Sequence, residues 1–533
     1  MPLGHTGAGA YAAMTPPPPG RHRPRTTGRT GHSGGVDRIV VGTLACAAAA
    51  AAVVAGGDLD GHRGRLAALV LPSWVVFGLC LARALGAHRQ LARPVLTVLL
   101  AAAVVQVPGL LAPPRTSTDA YRYVWDGRVQ LAGVSPYRYA PLDDRLAPLR
   151  DPLLFPGLGP AQRSGYRTTA LPHDRPGLLR FSRNDSRVRI NRPRVPTIYP
   201  PVAQAWFTAV AAVTPWALGT TGLQLASALL AVLVAALLAR LLQRRRRDPR
   251  LALVWAWSPT VAVEASGGAH VDVLATALVV LAVGTAGAVT RRRWVPLLTG
   301  LLLGLAAAVK LTPLVLLPAF TPLGRARAAR RRALVPAATA LGTVAVAYLP
   351  HLLTAGALVL GYLPGYLREE GGRNRAALLR LLLPDAAVTP AVVLLMAALA
   401  GWAVLRAAPD DPAGPALVLF GSLLLVTTPS YPWYALPLVA LVALTGRLEW
   451  LAVAAASYAA YAGVRLPGLT AAAYAVAALV VVGATVRRRH AGRGRRRQPA
   501  AARGAERRRG HSPARRLSCA GRARPRPRPA GTP

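Results

Sequence analysis

The stretch TGLQLASALLAVLVAALLARLLQRRRR, residues 221–247, decides the fold class of this chain. Its apolar part is long enough to cross the roughly 30 Å of membrane hydrocarbon, which takes about 20 residues of α-helix. A block of arginines, Arg244 to Arg247, follows directly, and such blocks mark the cytoplasmic ends of membrane helices. The stretch therefore predicts a membrane-spanning helix whose C-terminal end lies in the cytoplasm.

Similar apolar runs recur along the chain. The other long ones cover 39–56, 66–86, 95–112, 271–290, 333–349, 389–405 and 470–486. With 53% hydrophobic residues and a mean hydropathy of +0.35, the 533-residue chain is more apolar than one soluble core requires. We therefore predict an all-α, polytopic transmembrane helical bundle of about 12–14 spans, because spanning helices pair all their backbone polar groups internally.

The positive charge of the chain lies between and after the apolar runs. The formal net charge is +44, which would suggest nucleic-acid binding in a soluble protein. Here the basic residues follow membrane segments, at 244–247, 291–293, 325–332 and 487–489. This placement is typical of the positive-inside rule, so we expect the lipid bilayer as a partner and no nucleic acid.

The two ends of the chain differ from its middle. Residues 1–38 and 487–533 are basic and rich in Pro and Gly, without hydrophobic periodicity, and are predicted to be disordered cytoplasmic tails. The membrane domain is expected at 39–486. The three cysteines show no paired spacing, so neither a disulfide framework nor a zinc site is indicated.

The basic blocks also predict how the chain threads the membrane. Keeping every block inside makes 113–199 a large first external loop and 351–387 a second external segment. The apolar segment 200–217 is then interpreted as non-spanning, because counting it would place Arg244 to Arg247 outside. The expected location is the plasma membrane, with many passes and both termini in the cytoplasm.

The first external loop contains a polar motif, DAYRYVWDGRVQLAGVSPYRY, which begins at Asp119. At helical spacing Asp119, Arg122 and Asp126 share one face. A positioned carboxylate there is suited to act as a general base on a sugar hydroxyl. The alternative is that Asp119 and Asp126 pair with Arg122 and Arg128 on a solvated helix.

A second motif, WSPTVAVEASGGAHVD, places Glu264, His270 and Asp272 around a Gly-Gly break between apolar runs. Three such side chains within nine residues can bind a divalent metal ion. They are equally suited to bind a polar acceptor, or to form a hydrogen-bonded turn between two helices. The sequence leaves these three interpretations open.

Lys310 is the only lysine of the chain and lies in the apolar context LAAAVKLTPLVLLP. An ionisable side chain within a membrane segment is costly and indicates a functional site. Its ammonium group is suited to hold a phosphate oxygen. The alternative is a lysine whose side chain extends from a helix end to the membrane interface.

Two further segments lie at predicted outer ends. In TTPSYPWYALP, Tyr431 and Trp433 are placed for an interfacial aromatic belt or for stacking against a sugar. In GYLREEGGRNRAALLRLLLP, Arg373 or Arg375 is placed to hold phosphate or to form surface ion pairs. All these candidates fall at one face of the membrane, although the threading was built from the basic blocks alone.

The motifs taken together resemble a known family. The runs DAYRYVWDGRVQLAGVSPYRY, INRPRVPTIYPPVAQ, WSPTVAVEASGGAHVD, AAVKLTPLVLLP, YLREEGGRNRAALL and TTPSYPWYALP are similar to those of bacterial GT-C fold membrane glycosyltransferases. More narrowly they resemble the polyprenol-phosphate-mannose-dependent mannosyltransferases of glycosyltransferase family 87 and its relatives. The resemblance extends over roughly residues 40–486 and includes neither tail.

The resemblance implies an activity and a site. It implies a polyprenyl-phosphate mannose donor, inversion at the anomeric carbon, no cofactor, and a glycan or glycolipid acceptor of the cell envelope at the outer membrane face. Asp119 matches the essential acidic residue of the first loop, but Thr118 stands where the family often has a second acidic residue. The donor phosphate is then expected at Lys310 and at a loop arginine such as Arg192 or Arg373.

Two other classes of protein share many spans and polar residues within the membrane. One is a flippase or transporter of lipid-linked sugars, which usually shows internal repeats that this chain lacks. The other is a non-catalytic subunit of envelope assembly, for which Asp119 would be dispensable. The long external loop with its dense polar motif favours an enzyme.

Overall fold

The computed structural model describes residues 33–57, 63–86, 91–159, 187–286, 294–323, 327–370, 375–408, 410–463 and 466–497. Regular structure throughout these ranges is helical, and the one β-bridge there joins Ala408 to Asp411. Six of the described helices are long and apolar enough to cross a membrane, and six more apolar helices have 10–17 residues. The predicted all-α polytopic bundle is thus confirmed.

The helices follow one another without a sheet or a second fold type in the described ranges. The N-terminal half contains α1 (Ser33–Gly56), α2 (Arg63–Leu85), α3 (Pro94–Leu110), α4 (Asp119–Leu131), α5 (Pro201–Val213), α6 (Thr221–Arg244), α7 (Leu253–Ala256), α8 (Pro259–Val261) and α9 (Asp272–Ala286). Between α8 and α9 lies a π-helical turn, Ala262–Gly267.

The C-terminal half continues in the same way. It contains α10 (Trp294–Val309), α11 (Arg327–Ala355), α12 (Leu363–Glu370), α13 (Ala377–Arg380), α14 (Asp385–Arg406), α15 (Ala413–Thr427), α16 (Leu436–Thr445), α17 (Leu451–Ala462) and α18 (Pro467–Arg497). A 3₁₀ segment, Thr312–Phe320, connects α10 towards α11.

One end of the bundle collects the basic residues that were expected in the cytoplasm. Arginine side chains tie several helix ends together there: Arg245 binds Asp411 at 3.0 Å, Arg250 donates to the carbonyl of Ala84 at 3.1 Å, and Arg488 pairs with Glu449. These residues come from α2, from the segments after α6 and α14, and from α18. The basic blocks described here therefore lie at one common end, which we call the basic end.

The polar motifs gather at the opposite end, which we call the site end. Helix α5 packs on α4 through Gly127, where an added Cβ would lie 2.5 Å from the carbonyl oxygen of Phe207. Gln224 at the start of α6 donates to the carbonyl of Gly109 at the end of α3, at 2.7 Å. The chain from Pro200 to Gln224 therefore stays at the site end, and α5 does not run to the basic end.

The segment 249–267, which leads from the basic end back to the site end, is broken in three places. A 3₁₀ turn, α7, α8 and the π-turn follow one another, with Pro259 starting α8. Irregular backbone at membrane depth is tolerated where protein surrounds it, and this segment is buried from Ala252 onwards. Trp255 and Trp257 fix it by donating to Ala231 O at 2.8 Å and Thr43 Oγ1 at 3.1 Å.

Helices α10 and α11 run parallel, which settles how the chain passes between them. Gly300 lies against Pro336 and Gly304 against Ala340, so the pairs advance in the same direction along both helices. The stretch 310–323 must then return the chain to the basic end. It does so largely as the 3₁₀ segment and not as an α-helix.

The boundary predicted for the C-terminal tail, residue 487, falls inside a helix. Helix α18 continues to Arg497 because Arg488 pairs with the buried Glu449 and because Arg and Ala favour helix. Helix α1 likewise starts at Ser33, ahead of the predicted boundary at 39. Residues 1–32 and 498–533 lie outside the described residues.

Candidate active site

Asp119 is the first residue of α4 and lies at the centre of the site end. The N-terminus of a helix stabilises a carboxylate through its free backbone N–H groups. Asp119 Oδ1 accepts a hydrogen bond from the side-chain amide of Asn191, and Oδ2 accepts one from the hydroxyl of Tyr199 at 3.3 Å. The carboxylate is 15% exposed, so a ligand can reach it.

Tyr199 keeps its proton next to this carboxylate. Burial, and next the negative charge of Asp119, raise the pKa of the Tyr199 phenol well above its usual value. The hydroxyl therefore remains a donor over the whole working pH range, and it holds Asp119 Oδ2 in a fixed position.

His270 lies beside Asp119 and is fully buried. Its Nδ1 is 3.7 Å from Asp119 Oδ2, and its Nε2 is 3.2 Å from Glu264 Oε2. The second oxygen of Glu264 accepts a hydrogen bond from the Tyr458 hydroxyl at 2.6 Å. A carboxylate, an imidazole, a second carboxylate and a phenol thus form a continuous row at the site end.

The backbone around His270 is shaped by the Gly-Gly break that the sequence shows. Ala269 has a φ of +52°, a conformation that non-glycine residues rarely adopt and that is common at functional sites. An added Cβ on Gly268 would lie 2.6 Å from the His270 ring. The turn therefore brings His270 back towards Glu264, whose carbonyl accepts the His270 backbone N–H at 3.0 Å.

Trp433 packs against one face of the His270 ring. The two rings stack with centroids 3.9 Å apart and planes 14° apart, and Tyr431 stacks on Trp433 at 4.9 Å. Trp433 is 6% exposed. The expected interfacial belt does not describe this residue, since it packs against the site histidine within the bundle, and its stacking partners are aromatic side chains.

Lys310 is held by Asp272 from the start of α9. The ammonium nitrogen lies 2.6 Å and 2.9 Å from the two carboxylate oxygens and 3.9 Å from the centre of the Tyr434 ring. Lys310 is 18% exposed, whereas Asp272 is 4% exposed. The lysine therefore does not extend to the interface; it points into the site end as half of an ion pair.

Arg192 lies on the same side of the site as Lys310. The Tyr434 hydroxyl is hydrogen-bonded to that of Tyr366 from α12 at 2.8 Å, and the Arg192 guanidinium lies over the Tyr366 ring at 5.1 Å. Two hydrogen-bonded tyrosines thus separate Lys310 from Arg192. Arg373 lies outside the described residues.

Arg122 and Asp126 form a buried network below Asp119. They pair at 2.9 Å with 4% and 1% of their side chains exposed. Asp126 also accepts from Thr197 at 2.6 Å and from Gln204 at 3.1 Å. Of the pairs considered as the alternative for this helix, that of Arg122 with Asp126 is present, but the helix is not solvated, because α4 is covered by the rest of the first loop and by α5.

Arg128 is also engaged in structure. It pairs with Asp151, donates to the carbonyl of Trp216 at 2.8 Å and lies 4.5 Å above the Trp216 ring. The ion pair ties Arg128 within the first loop, and the two contacts with Trp216 join this loop to the segment after α5. This geometry connects two parts of the scaffold and leaves Arg128 away from Asp119.

The three side chains considered for a metal ion do not converge on one point. Asp272 binds Lys310, while Glu264 and Asp119 approach opposite nitrogens of His270. Over the described part of the chain, no group of three His, Cys, Asp or Glu side chains is arranged to hold a metal ion.

Several site residues were not singled out from the sequence. Asn191 and Tyr199 belong to the quoted run INRPRVPTIYPPVAQ, so their motif was noticed but their contact with Asp119 was not. Tyr458 lies in α17, an alanine-rich helix without a polar motif. Tyr458 is recognised as a site residue only from its contact with Glu264 in the structure, because no local sequence motif marks it.

Two family models match the chain. One, described as glycosyltransferase family 87, matches residues 197–429, and one, described as alpha-(1->6)-mannopyranosyltransferase, N-terminal domain, matches residues 36–151. The two matches together support a GT-C-like mannosyltransferase family for this chain. No curated protein and no solved structure matches this GT-C-like chain.

The family assignment makes the chain a membrane glycosyltransferase, as the motifs predicted. The site of this GT-C-like enzyme draws on both matched regions, with Asp119 from the first and His270 and Lys310 from the second. Trp433 and Tyr458 lie beyond both matches; the sequence had indicated Trp433, and the structure adds Tyr458 to the candidate site.

Proposed function

We propose that this enzyme transfers mannose from a polyprenyl-phosphate donor to a glycan or glycolipid acceptor of the cell envelope, with inversion, at the outer face of the plasma membrane. The observation that carries the proposal is the environment of Asp119. Among Asp119, Asp126, Glu264 and Asp272 it is the most exposed carboxylate, at 15%, and it accepts hydrogen bonds from the neutral donors Asn191 and Tyr199.

The other three carboxylates are at most 4% exposed. Asp126 lies within the Arg122 network, Asp272 binds Lys310, and Glu264 accepts from Tyr458. One available carboxylate supports a single displacement: Asp119 removes the proton of the acceptor hydroxyl while its oxygen attacks the anomeric carbon. The bond from that carbon to the phosphate oxygen breaks, and polyprenyl phosphate leaves.

The position of the site supports an external reaction. The arginine contacts of the basic end join helices at the side of the bundle opposite to Asp119. Under the positive-inside rule that basic end faces the cytoplasm, so the site end faces outside. Lipid-linked donors serve reactions there, because a membrane anchor keeps the activated sugar at the bilayer surface.

A direct test uses the full chain in lipid nanodiscs. Radiolabelled mannose is supplied either as polyprenyl-phosphate mannose or as a nucleotide sugar, together with envelope glycolipid, in the presence or absence of EDTA. We expect transfer from the lipid-linked donor alone, with inverted configuration in the product. Transfer from the nucleotide sugar alone would overturn the donor, and absence of transfer with both would overturn the proposed function.

Lys310 is proposed to hold the donor phosphate with the part of its ammonium group that Asp272 leaves available. Replacing Lys310 alone would leave Asp272 as an unpaired buried charge, so the informative variant is Lys310→Met with Asp272→Asn, which removes both charges together. We expect the Michaelis constant for the donor to rise about 10- to 100-fold, since a hydrogen bond between charged groups contributes about 1.5–3 kcal/mol. The acceptor constant should change little.

The control for this prediction is Arg145→Met, which removes an exposed cation from the first external loop. It should leave the donor constant unchanged. A double variant that binds donor as the wild type does would show that the Lys310 and Asp272 pair only supports the fold.

A further inference from the structure

The row of groups beside Asp119 contains buried polar atoms without partners. Neither nitrogen of His270 has a hydrogen-bond partner, and Glu264 Oε2 also has none, among the residues described. The 3.2 Å from His270 Nε2 to Glu264 Oε2 is an ion-pair distance, but the direction of the ring N–H departs from that of a hydrogen bond. Such orphaned groups are rare in a folded interior and indicate a role during a reaction.

The two nitrogens of the His270 ring face different carboxylates. Asp119, at Nδ1, is 15% exposed, whereas Glu264, at Nε2, is 3% exposed. A buried carboxylate behind an imidazole holds the ring in place and stabilises the imidazolium, which is the role of the aspartate in serine-protease triads. Tyr458 fixes the Glu264 carboxylate from its far side at 2.6 Å.

We propose that Glu264 is a positioning residue of the transfer reaction, acting on Asp119 through His270. This inference rests on the proposed function of Asp119 as the base. Glu264 keeps Nδ1 of His270 directed at Asp119 and balances the positive charge that the imidazole carries when it takes a proton.

The proton path balances without any further reactant. The acceptor O–H bond breaks as the new bond to the anomeric carbon forms, and the proton goes to Asp119. Asp119 shares it with Nδ1 of His270, and Glu264 stabilises the resulting imidazolium. When the products leave, the proton returns through Asp119, the exposed end of the row, to water.

Besides Asp119 and Glu264, the charged groups near His270 are Asp272 and Lys310, which form an ion pair without net charge. Asp119 faces His270 from α4, Glu264 from the π-turn, and Asp272 with Lys310 lies on α9 and at the end of α10. The Trp433 ring, which stacks on the imidazole, has no charge. Glu264 is therefore the carboxylate that can respond to a proton on His270 from the closed side of the site.

The backbone supports a role for Glu264 beyond packing. It lies on the π-helical turn Ala262–Gly267, and such turns are frequent at functional sites. Gln106 accepts the Ser266 backbone N–H at 3.1 Å, and Gln224 donates to the Ser266 carbonyl at 3.2 Å. The backbone N–H and carbonyl of Ser266 are thus both hydrogen-bonded without Glu264. The Glu264 side chain instead contacts His270 and Tyr458.

The test compares Glu264→Gln and Glu264→Asp with the wild type in the nanodisc transfer assay, at equal amounts of folded protein. We expect Glu264→Gln to lower kcat about 100-fold, with both Michaelis constants within twofold, and to move the pH profile of kcat to lower pH. Glu264→Asp, which keeps the charge, should keep the pH profile of the wild type at a lower kcat.

Tyr458→Phe is a milder second variant, because it retains the carboxylate and the imidazole. It should lower kcat threefold to tenfold with unchanged Michaelis constants. Wild-type kcat and pH profile in Glu264→Gln, or wild-type kcat in Tyr458→Phe when Glu264→Gln does not fold, would overturn the inference. A wild-type enzyme without transfer would instead overturn the proposed function itself.

Discussion

Replacing Asp119 by Asn is expected to lower kcat about 10²- to 10⁴-fold, the range over which a general base contributes. The amide has the size of the carboxylate but only one acceptor oxygen, so it keeps one of the two hydrogen bonds from Asn191 and Tyr199 and largely preserves the shape of the site. It cannot take a proton from the acceptor hydroxyl. Single-turnover transfer of labelled mannose from the lipid-linked donor measures the effect, with donor binding determined separately and expected to be unchanged.

The matched control is Asp143→Asn, the same chemical change at another carboxylate of the first external loop. Asp143 accepts from the backbone N–H of Arg145 at 3.0 Å at the start of a short 3₁₀ turn, away from the site. We expect its kcat to stay within about threefold of the wild type, because an exposed cap contributes only to local stability. Equal kcat values in both variants and the wild type would exclude Asp119 as the base.

The fold was largely predictable because its strongest determinants are local. An apolar run of the right length followed by arginines, as at 221–247, specifies a spanning helix and its direction without knowledge of any other segment. The broken segment 249–267 was not predictable. Its irregular backbone depends on Gln106 and Gln224, which lie far away in sequence and satisfy its polar groups.

The sequence predicted which residues belong to the site better than it predicted the contacts between them. The threading alone placed Asp119, His270 and Lys310 at one face, and the structure brings them together. The pairing of Lys310 with Asp272 joins residues 38 positions apart, and the chemistry of either residue alone does not specify it. For the same reason Trp433, expected at the interface, was found beneath the imidazole.

The charged residues of the first loop differ in burial, and helical spacing alone does not predict this difference. Asp119 and Asp126 lie on one face of α4, yet the first is 15% exposed and the second 1%. Asp126 therefore does not replace the second acidic residue that the resemblance leads one to expect at Thr118. Its carboxylate belongs to the scaffold, and the next prediction tests that assignment.

Asp126→Ala is expected to destabilise the enzyme by about 3–5 kcal/mol, because it leaves the Arg122 charge buried without its partner. Thr197 and Gln204 also lose the oxygen to which they donate. Thermal unfolding in nanodiscs, followed by tryptophan fluorescence, should show the loss, while the fraction that stays folded should keep most of its kcat.

Two comparisons separate this effect from a catalytic one. The double variant Arg122→Met with Asp126→Leu removes both charges and should recover much of the lost stability, since buried ion pairs are often replaceable by apolar side chains. Arg145→Ala, at a pair separated by 3.8 Å with its arginine 68% exposed, should change stability by less than about 1 kcal/mol. If Asp126→Ala unfolded at the wild-type temperature but lost transfer, Asp126 would belong to the reaction, and the single-base mechanism would have to include a second carboxylate.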